Sequence, residues 1–242
     1  MKVMINSFIF WLVLFVSTLV LSILAMVVAI FDPEGNKCHI IARLWAKSIM
    51  VASRVKTKII GIENLKSSSP VILMSNHQGY FDIFAYLAYL PIQFRWLAKE
   101  SLFKIPFLGW GMRRAGYISI DRSSLKKGYR SLNEAAEKIK SGKNVLIFPE
   151  GTRSKDGKLL PFKVGGFTLA IKAKVNIIPM AITGSYKIMP KNRFTVKPGK
   201  IIIRIGEPID ISEISIKEKE TLMNKVREKI EGLLKKNEED KF

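Results

Sequence analysis

The chain contains a long segment without any charged side chain, from Ile5 to Phe31. As an α-helix rising 1.5 Å per residue, this segment would be about 40 Å long, enough to cross a hydrocarbon core of about 30 Å. It is also longer than the apolar region of a cleaved signal peptide, roughly 7 to 15 residues, and no small-residue cleavage site is evident. We therefore expect a retained membrane-associated helix, and a buried helix of a soluble core is the weaker alternative.

The residues that follow this segment predict a second helix. Between His39 and Arg54, apolar side chains are interleaved with cations, a pattern typical of an amphipathic helix at a membrane interface. The turn-forming residues 32–36 separate the two helices. We therefore predict a membrane-associated two-helix segment over residues 1–56, whose first arm either spans the bilayer or embeds in one leaflet. A second domain is expected over residues 57–242.

Positive charge dominates the chain and is uneven around the apolar segment. The formal net charge is +20, although 48% of the residues are hydrophobic. Such a charge favours an anionic partner: a nucleic acid, an acidic membrane surface or a phosphorylated small molecule. Lys2 alone precedes the apolar segment, whereas several cations follow it closely: Lys37, Arg43, Lys47, Arg54, Lys56 and Lys58. By the positive-inside rule, the second domain should face the cytoplasm.

The sequence offers few metal-binding side chains. Cys38 is the single cysteine, which excludes an internal disulfide and any metal site built from several cysteines. Because His39 and His77 are the only histidines, we expect no zinc site made mainly of nitrogen and sulfur ligands. A lipidated Cys38 is one alternative near a membrane, and an unmodified thiol is the simpler one.

From residue 57 onward, short apolar runs alternate with amphipathic segments. This alternation predicts an α/β domain with a mostly parallel sheet flanked by helices. The predicted strands are 57–60, 70–74, 117–121, 145–148, 177–183 and 200–205, and the predicted helices are 83–87, 124–140, 164–172 and about 216–236. Ser215 and Glu218 form a candidate capping box for the last helix, and the charged residues 237–241 are expected to fray.

One histidine lies close in sequence to a carboxylate, between a predicted strand and a predicted helix. His77 and Asp82 are five positions apart, which within one helix would place them about 140° apart around the axis. A contact therefore requires His77 in the turn and Asp82 in the first helical turn. An imidazole held by an aspartate can take a proton from a hydroxyl near neutral pH. Because no serine or cysteine is evidently presented beside His77, we expect a substrate hydroxyl; the alternative is a helix-capping aspartate beside a structural histidine.

A second strand end carries candidate binding residues. The predicted strand that ends at Phe148 is followed closely by Glu150, Gly151, Thr152 and Arg153. The planar guanidinium of an arginine suits a phosphate, and ligands of α/β sheets collect at the carboxyl ends of strands. The alternative is a polar turn with a solvated arginine.

The stretch from Lys99 to Arg122 mixes apolar residues with cations. It is consistent with an acyl-chain groove, or with a wedge that enters the membrane and keeps its cations at headgroup level. Ordinary core packing is an equal alternative for each apolar side chain. Lys99 and Arg122 are further phosphate-binding candidates, and the alternative for each is a surface cation.

Four blocks of residues occur in the order found in one enzyme family. They are Asn76-His77 with Asp82; Lys99, Pro106, Gly109, Gly116 and Arg122; Phe148 to Ser154; and Ile178-Pro179-Met180-Ala181. This set resembles the glycerolipid acyltransferases, and most closely their bacterial 1-acyl-sn-glycerol-3-phosphate acyltransferase type, over roughly residues 71–181. Gly79 departs from the pattern, because many members have serine there.

The resemblance implies a reaction without a metal or cofactor. His77 would be the general base that deprotonates the free 2-hydroxyl of lysophosphatidate, and Asp82 would orient it. The alkoxide would attack the thioester of acyl-CoA or acyl-carrier protein directly and give phosphatidate, with backbone N–H groups in the turn 78–80 as oxyanion donors. The implied substrate-binding residues are Asn76, Gly79, Lys99, Arg122, Glu150, Gly151, Thr152 and Arg153, with Lys99 and the arginines as phosphate ligands.

The same resemblance implies partners and a location. The expected partners are an acyl-CoA or acyl-carrier protein donor, a lysophosphatidate acceptor and an anionic membrane surface, with no nucleic acid. The catalytic domain would lie on the cytoplasmic face of the cell inner (plasma) membrane. Three alternatives are an acyltransferase for glycerol-3-phosphate or another lysophospholipid, a membrane-tethered nucleic-acid-binding protein, and a lipid hydrolase in which His77 activates water. The nucleic-acid alternative is disfavoured because the cations are scattered rather than grouped with aromatics in a recognised module.

Overall fold

The computed structural model describes residues 2–66, 70–121 and 123–236. The helices in these ranges are α1 (Lys2–Val28), α2 (Asn36–Ala52), α3 (Phe81–Tyr89), α4 (Glu100–Phe103), α5 (Leu108–Arg114), α6 (Leu125–Lys140), α7 (Gly165–Ala173), α8 (Ser185–Ile188) and α9 (Lys219–Lys235). Short 3₁₀ turns occupy Ala29–Phe31, Ile62–Leu65 and Ile216–Glu218. The strands are β1 (Val55–Ile60), β2 (Ile72–Ser75), β3 (Arg95–Lys99), β4 (Ile118–Ile120), β5 (Val145–Ile147), β6 (Ile177–Thr183) and β7 (Gly199–Ile205).

One seven-stranded sheet runs through the described part of the chain in the order β1-β7-β6-β2-β5-β3-β4. Neighbouring strands pair in parallel, except that β6 and β7 are antiparallel. The predicted α/β class with a mostly parallel sheet is therefore confirmed. Because β7 reverses direction, β1 and β7 run opposite to the other strands. The carboxyl ends of β2, β3, β5 and β6 consequently meet at one edge of the sheet, where ligands of such folds bind.

Helices cover both faces of the sheet, each over its own hydrophobic cluster. The first cluster joins α1, α2 and α3 and includes Ile49 and Phe84. The second lies under α6, α7 and α9 and includes Val226. Successive side chains of β2 alternate between the two faces, so Leu73 belongs to the first cluster and Ile72 to the second. A strand buried on both faces reads as a continuous apolar run, which explains why β2 could be predicted.

The first two helices form a hairpin that is packed against the sheet domain. With its 3₁₀ turn, α1 is long and apolar enough to cross a membrane, as judged from length and composition. Its outer side chains are exposed; Phe8 and Phe15 are 69% and 73% exposed. α2 is amphipathic as predicted, but Ile49 and Met50 on its apolar face are buried in the core next to α3, whereas Leu44 is exposed. The apolar face of α2 therefore covers protein, and Leu44 lies on its exposed side.

Some element boundaries differ from the predicted ones. The predicted domain boundary at residue 57 falls within β1, so α2 runs almost directly into the sheet. The capping box between Ser215 and Glu218 is present, but it precedes the 3₁₀ turn Ile216–Glu218 rather than α9 itself. Residues 237–241, which were expected to fray, lie outside the described residues.

Four elements of the described structure were not predicted from the sequence: β3, α4, α5 and α8. β3 escapes prediction because it begins with a charged residue, Arg95, which is only 2% exposed. Its guanidinium donates hydrogen bonds to the side-chain oxygens of Gln93 and Asn36 and to the backbone oxygen of Glu34. These bonds satisfy a buried cation and attach the turn of the helical hairpin to the sheet.

Candidate active site

His77 lies in the turn that follows β2, and Asp82 lies in the first turn of α3. Their side chains are in contact, with His77 Nδ1 2.7 Å from Asp82 Oδ2. An ionised carboxylate can only accept hydrogen bonds, so Nδ1 carries the proton in this contact and Nε2 is left as a base. The Asp82 side chain is fully buried, whereas the His77 side chain is 13% exposed. The predicted contact is therefore present, on a ring that keeps access to the surface.

The backbone of the turn holds the Asp82 carboxylate in place. Asp82 Oδ2 accepts hydrogen bonds from the backbone N–H groups of Gln78, at 2.6 Å, and of Gly79, at 2.9 Å. Together with His77, three donors converge on this one oxygen. The expectation that the Gln78 and Gly79 N–H groups serve as oxyanion donors is therefore wrong, because both are directed at Asp82.

Two aromatic rings fix the plane of the imidazole. The ring of Phe148, just after β5, stacks on His77 with centroids 3.9 Å apart and an interplanar angle of 7°. Trp96 on β3 stacks in turn on Phe148, with centroids 5.5 Å apart. The stack restricts rotation of the imidazole and keeps Nδ1 facing Asp82. The sequence identifies Phe148 as the end of a strand, but gives no signal that its ring supports a histidine.

Glu150 supports the same turn from the next strand. It is 2% exposed, and its two carboxylate oxygens accept hydrogen bonds from the backbone N–H groups of His77, at 2.7 Å, and of Leu160, at 3.0 Å. Burial raises the pKa of Glu150 to about 7, against the lowering effect of these two hydrogen bonds. Both oxygens are thus engaged by protein backbone, in a region expected to bind the acceptor.

Asn76 and Gly79 are committed to packing. Asn76 is 1% exposed, and its side-chain amide makes two hydrogen bonds with the backbone of Ile182 on β6, at 2.9 and 2.8 Å. A Cβ atom at Gly79 would lie 3.0 Å from the backbone oxygen of Met189 and 3.1 Å from that of Ser185. The turn after β2 therefore packs closely on α8, which accounts for glycine at this position.

A pair of cations lies at the turn that follows Glu150. The Arg153 guanidinium lies over the Tyr80 ring, 3.5 Å from its centroid, next to the start of α3. Lys191 donates hydrogen bonds to Thr152 Oγ1, at 3.0 Å, and to the backbone oxygen of Arg153, at 3.3 Å. Ser154 N donates to the backbone oxygen of His77, at 2.9 Å. The two strand-end turns thus form one unit, and Lys191 joins it from the region before β7.

The fold and this geometry agree with a family-level match. The sequence profile described as acyltransferase matches residues 56–183, slightly more than half of the chain. The chain belongs to the acyltransferase family. The matched range includes His77, Asp82 and Arg153, and ends before Lys191.

Named relatives of this acyltransferase share one description. The chloroplastic 1-acyl-sn-glycerol-3-phosphate acyltransferases LPAT1 of Arabidopsis thaliana and BAT2 of Brassica napus are 39% and 40% identical over 84% and 83% of this chain. The chain spans 56% and 60% of their respective lengths. The 1-acyl-sn-glycerol-3-phosphate acyltransferase of Borreliella burgdorferi is 29% identical over 79% of this chain and 76% of its own.

A solved structure extends the likeness to the whole fold. The crystal structure of the 1-acyl-sn-glycerophosphate (LPA) acyltransferase PlsC from Thermotoga maritima matches with a TM-score of 0.85 at 27% identity. The match covers 100% of this chain and 98% of that chain, so it includes the helical hairpin as well as the sheet domain.

The remaining predicted binding residues of this acyltransferase are more dispersed. Lys99 ends β3, which lies two strands from β2, a separation of about 10 Å between strands. Arg122 lies outside the described residues. Gly151 has a φ of +69°, a left-handed conformation that favours glycine in the turn before Arg153. Lys191 was missed because it follows the last motif; the absence of Asp and Glu from residues 157–206 is the one sequence signal that marks its region.

The stretch between Lys99 and Arg122 is divided between core and surface. An apolar cavity of about 60 Å³ lies between α1, α2, α3 and α5, and Leu108 and Met112 from this stretch line it. Trp110, by contrast, is 42% exposed. Both earlier alternatives, core packing and an apolar surface, are therefore represented in the same stretch.

Proposed function

We propose that this acyltransferase esterifies the free 2-hydroxyl of 1-acyl-sn-glycerol-3-phosphate with an acyl group from acyl-CoA or acyl-carrier protein, forming phosphatidate. The observation that carries the proposal is the 2.7 Å contact between His77 and Asp82, at a sheet edge that also presents Arg153. A base held by a carboxylate supports hydroxyl activation, and the adjacent cations support a phosphorylated acceptor. The names of the plant, Borreliella and Thermotoga proteins support the same acceptor.

The proposed reaction is a direct transfer. His77 Nε2 accepts the proton of the 2-hydroxyl while the hydroxyl oxygen attacks the carbonyl carbon of the thioester. Asp82 stabilises the imidazolium that forms, through the contact at Nδ1. When the tetrahedral intermediate collapses, the carbon–sulfur bond breaks and the leaving thiolate takes the proton from His77. The scheme needs no acyl-enzyme, metal or cofactor.

Glu150 and Asn76 have positioning roles in this scheme. The oxygens of Glu150 hold the backbone of His77 and of the segment at Leu160, and the amide of Asn76 holds β2 against β6. Each polar atom is therefore directed at protein rather than at an acceptor. Their effect on catalysis would act through the orientation of His77.

We assign binding of the acceptor phosphate to Arg153 and Lys191, the cations at the turn that follows Glu150. Arg153 has the planar geometry for two charge-assisted hydrogen bonds, and Lys191 adds a second positive charge beside it. Thr152 and Gly151 would contribute a hydroxyl and a close backbone approach at the same turn. Lys99 and Arg122 are retained in the proposed binding set as further phosphate ligands.

The first helix supports a proposed location for the enzyme. We propose that α1 holds the protein in the cell inner (plasma) membrane with the sheet domain on the cytoplasmic face, where an acyl-CoA or acyl-carrier protein donor would be available. The cations that follow α1 support this orientation. The division into a two-helix membrane segment and an acyltransferase domain is retained as a functional one, although both share a hydrophobic cluster.

An acceptor panel tests this assignment. Purified enzyme should convert lysophosphatidate much faster than glycerol-3-phosphate or lysophosphatidylcholine. Arg153→Ala should raise the KM for lysophosphatidate by about 10- to 100-fold, the loss expected for a charge-assisted contact, with a smaller effect on kcat. Arg130→Ala is the matched control, because that exposed arginine pairs with Glu134 on α6. Equal turnover of lysophospholipids that lack a phosphate monoester would contradict the proposed acceptor.

The two other classes of function have their own signatures. A lipid hydrolase would release free fatty acid from acyl-CoA at the same rate with and without an acceptor. A nucleic-acid-binding protein would bind duplex DNA or RNA at physiological salt, with an affinity that falls steeply as salt increases. Neither result is expected of an enzyme in which His77 activates a lipid hydroxyl.

A further inference from the structure

A basic loop with an exposed aromatic residue connects α8 to β7. This 190–198 loop, from Pro190 to Pro198, presents Phe194 with 74% of its surface exposed. Arg193 and Lys197 are exposed on either side of it, and no acidic residue occurs between residues 157 and 206. An isolated phenylalanine on a surface needs no explanation, so its surroundings decide its meaning.

The loop is bound along the first turns of α1. Trp11 Nε1 donates a hydrogen bond to the backbone oxygen of Phe194, at 2.9 Å, and the two rings are 6.1 Å apart. Ser7 Oγ accepts from the backbone N–H of Val196, at 2.9 Å, and Asn6 Nδ2 donates to its backbone oxygen, at 3.1 Å. Three polar side chains of this apolar helix, Asn6, Ser7 and Trp11, thus hold the loop.

The apolar surface of α1 continues onto the loop through Trp11. Met4, Phe8 and Phe15 share a helical face with Trp11, because their spacing of three and four residues places them in one stripe. Met4 is 74% exposed, and Phe8 and Phe15 are 69% and 73% exposed. Phe194 therefore extends the stripe that is proposed to enter the membrane, and its flanking cations lie at the border of that surface.

The other end of the loop reaches the candidate active site. Lys191 is hydrogen-bonded to the turn of Thr152 and Arg153. Lys191 and Phe194 are three positions apart, and three fully extended residues span at most about 11 Å between Cα atoms. The backbone that carries the exposed Phe194 ring therefore lies within about 11 Å of the Lys191 backbone, and Lys191 contacts the turn of the proposed phosphate-binding Arg153.

We propose that the 190–198 loop docks on the surface of an anionic lipid bilayer. Phe194 enters the interface beside α1, and Arg193 and Lys197 contact lipid headgroup phosphates. This docking holds Lys191 and Arg153 at headgroup depth, so an acceptor lipid reaches them without leaving the bilayer. Anionic lipid is the occupant because the loop combines cations with an apolar ring and carries no acidic residue. The link to the acceptor rests on the proposed function, whereas the docking itself does not.

The depth of a spin label at position 194 tests the docking directly. Phe194→Cys can be labelled selectively with a nitroxide, because Cys38 is 1% exposed and burial raises the pKa of its thiol to about 11. In vesicles of phosphatidylcholine with phosphatidylglycerol, the label should collide more with oxygen than with a water-soluble nickel chelate. Ile216→Cys is the matched control: it is 45% exposed beside α9, on the other face of the sheet, and should show the reverse preference.

A water-like label at position 194 in these vesicles would overturn the proposal. Equal depth in vesicles of phosphatidylcholine alone would overturn the assignment to anionic lipid. Neither measurement depends on turnover, so a failure of the docking and a failure of the proposed acyl transfer are distinguishable.

Arg193 and Lys197, the two cations of the 190–198 loop that flank Phe194, provide a second arm of the experiment. Arg193→Gln combined with Lys197→Gln should raise the apparent KM for lysophosphatidate in anionic vesicles by about 10- to 30-fold, since each cation near an anionic surface is worth about fivefold in binding. Turnover of a short-chain, water-soluble lysophosphatidate should change little. Lys225→Gln combined with Lys229→Gln removes the same charge from exposed positions on α9 and should leave both values unchanged. An equal effect of the two pairs would contradict docking through the loop.

Discussion

The chain has two histidines, and their surroundings differ in one decisive respect. His39 on α2 is completely buried, edge-on to Phe94 and Tyr117, with ring centroids 5.0 and 5.9 Å away. Its Nδ1 is 3.2 Å from the Tyr117 hydroxyl, and Nε2 is buried without a hydrogen-bond partner among the described residues. His77 contacts the buried carboxylate of Asp82 and keeps part of its ring exposed. A histidine becomes a useful base where a carboxylate and an opening to the surface occur together.

The environment of His39 disfavours its charged form. Burial lowers the pKa of His39 to about 3, and the positive charges of Arg95 and Arg43 lower it further. His39 therefore remains neutral throughout the range in which the enzyme would work. It acts as a small aromatic ring in the core between the hairpin and the sheet, whereas His77 lies where a proton can be exchanged with a ligand.

Substitution of each histidine gives the largest expected contrast. His77→Ala should lower kcat by about 10³-fold, within the range that a positioned general base contributes. His39→Phe keeps a ring in the core and should leave kcat within a few-fold of wild type. Both are measured as turnover of lysophosphatidate in vesicles near pH 7.5, with circular dichroism to compare folding. Wild-type turnover in His77→Ala would end the proposed mechanism, and an equal loss in His39→Phe would remove the distinction between the two histidines.

Removing the carboxylate beside His77 should have the next largest effect. Asp82→Asn keeps the shape of the side chain, and its oxygen can still accept from the N–H groups of Gln78 and Gly79. It cannot stabilise an imidazolium, so kcat should fall by about 10²-fold or more, with little change in the KM for the acceptor. Glu134→Gln, at an exposed carboxylate on α6, is the control. An Asp82→Asn enzyme with unchanged kcat would reduce Asp82 to a cap for α3.

The contact between His77 and Asp82 could be predicted because it depends on local chain geometry. A buried strand, a turn and the first turn of a helix leave few arrangements for two residues five positions apart. β2, β5 and β6 could be predicted for a related reason, since strands buried on both faces are continuous apolar runs. The same reasoning fails for β3, where Arg95 is buried through hydrogen bonds to residues far away in sequence.

The missed parts of the site all depend on contacts between distant segments. Lys191 is 38 residues from Arg153, whose backbone it binds, and nothing in the local sequence indicates that meeting. The orientation of the Glu150 carboxylate depends on Leu160, ten residues later in the chain, whose backbone N–H group donates the second hydrogen bond. The N–H groups of Gln78 and Gly79 donate to Asp82 because one carboxylate oxygen of Asp82 lies beside both of them. Sequence patterns identify which residues are polar at the sheet edge, but not which of them face protein.

A shift in the pH dependence of stability should be the third effect in size. Because the pKa of His39 is lower in the folded state than the ordinary value of 6.5, the unfolded chain binds a proton that the folded chain does not. This residue therefore contributes stability above about pH 6.5 that is lost as the pH falls toward 3. Between about pH 8 and pH 5 the loss should be about 2 kcal/mol.

His39→Phe should remove that loss. Chemical unfolding in detergent micelles, compared at the two pH values, should show a smaller acid destabilisation than wild type. At the higher pH the variant should be less stable by about 1 kcal/mol, because the Tyr117 hydroxyl loses its partner. Identical pH profiles for the two proteins would show that His39 is not held neutral by its surroundings.

The smallest predicted effect concerns Glu150, whose carboxyl supports His77. Its effect on stability changes with pH in the direction opposite to that of His39. The pKa of Glu150 is raised to about 7 in the folded state, so the folded chain binds its proton more tightly than the unfolded chain. Its contribution to stability is present at low pH and is lost as the pH rises through 7. Between about pH 6 and pH 7 the loss should be about 1 kcal/mol. Glu150→Gln should flatten this slope, measured by the same unfolding assay.

The Glu150→Gln variant also tests whether Glu150 positions His77 for catalysis or only stabilises the fold. A glutamine can accept from only one of the two N–H groups of His77 and Leu160, so one buried donor loses its acceptor. If Glu150 positions His77, kcat should fall in Glu150→Gln while the KM for lysophosphatidate changes little, since both oxygens face backbone. A rise in KM with unchanged kcat would instead place Glu150 among the acceptor ligands. That result would extend the acceptor-binding site to Glu150, beside the turn that holds His77.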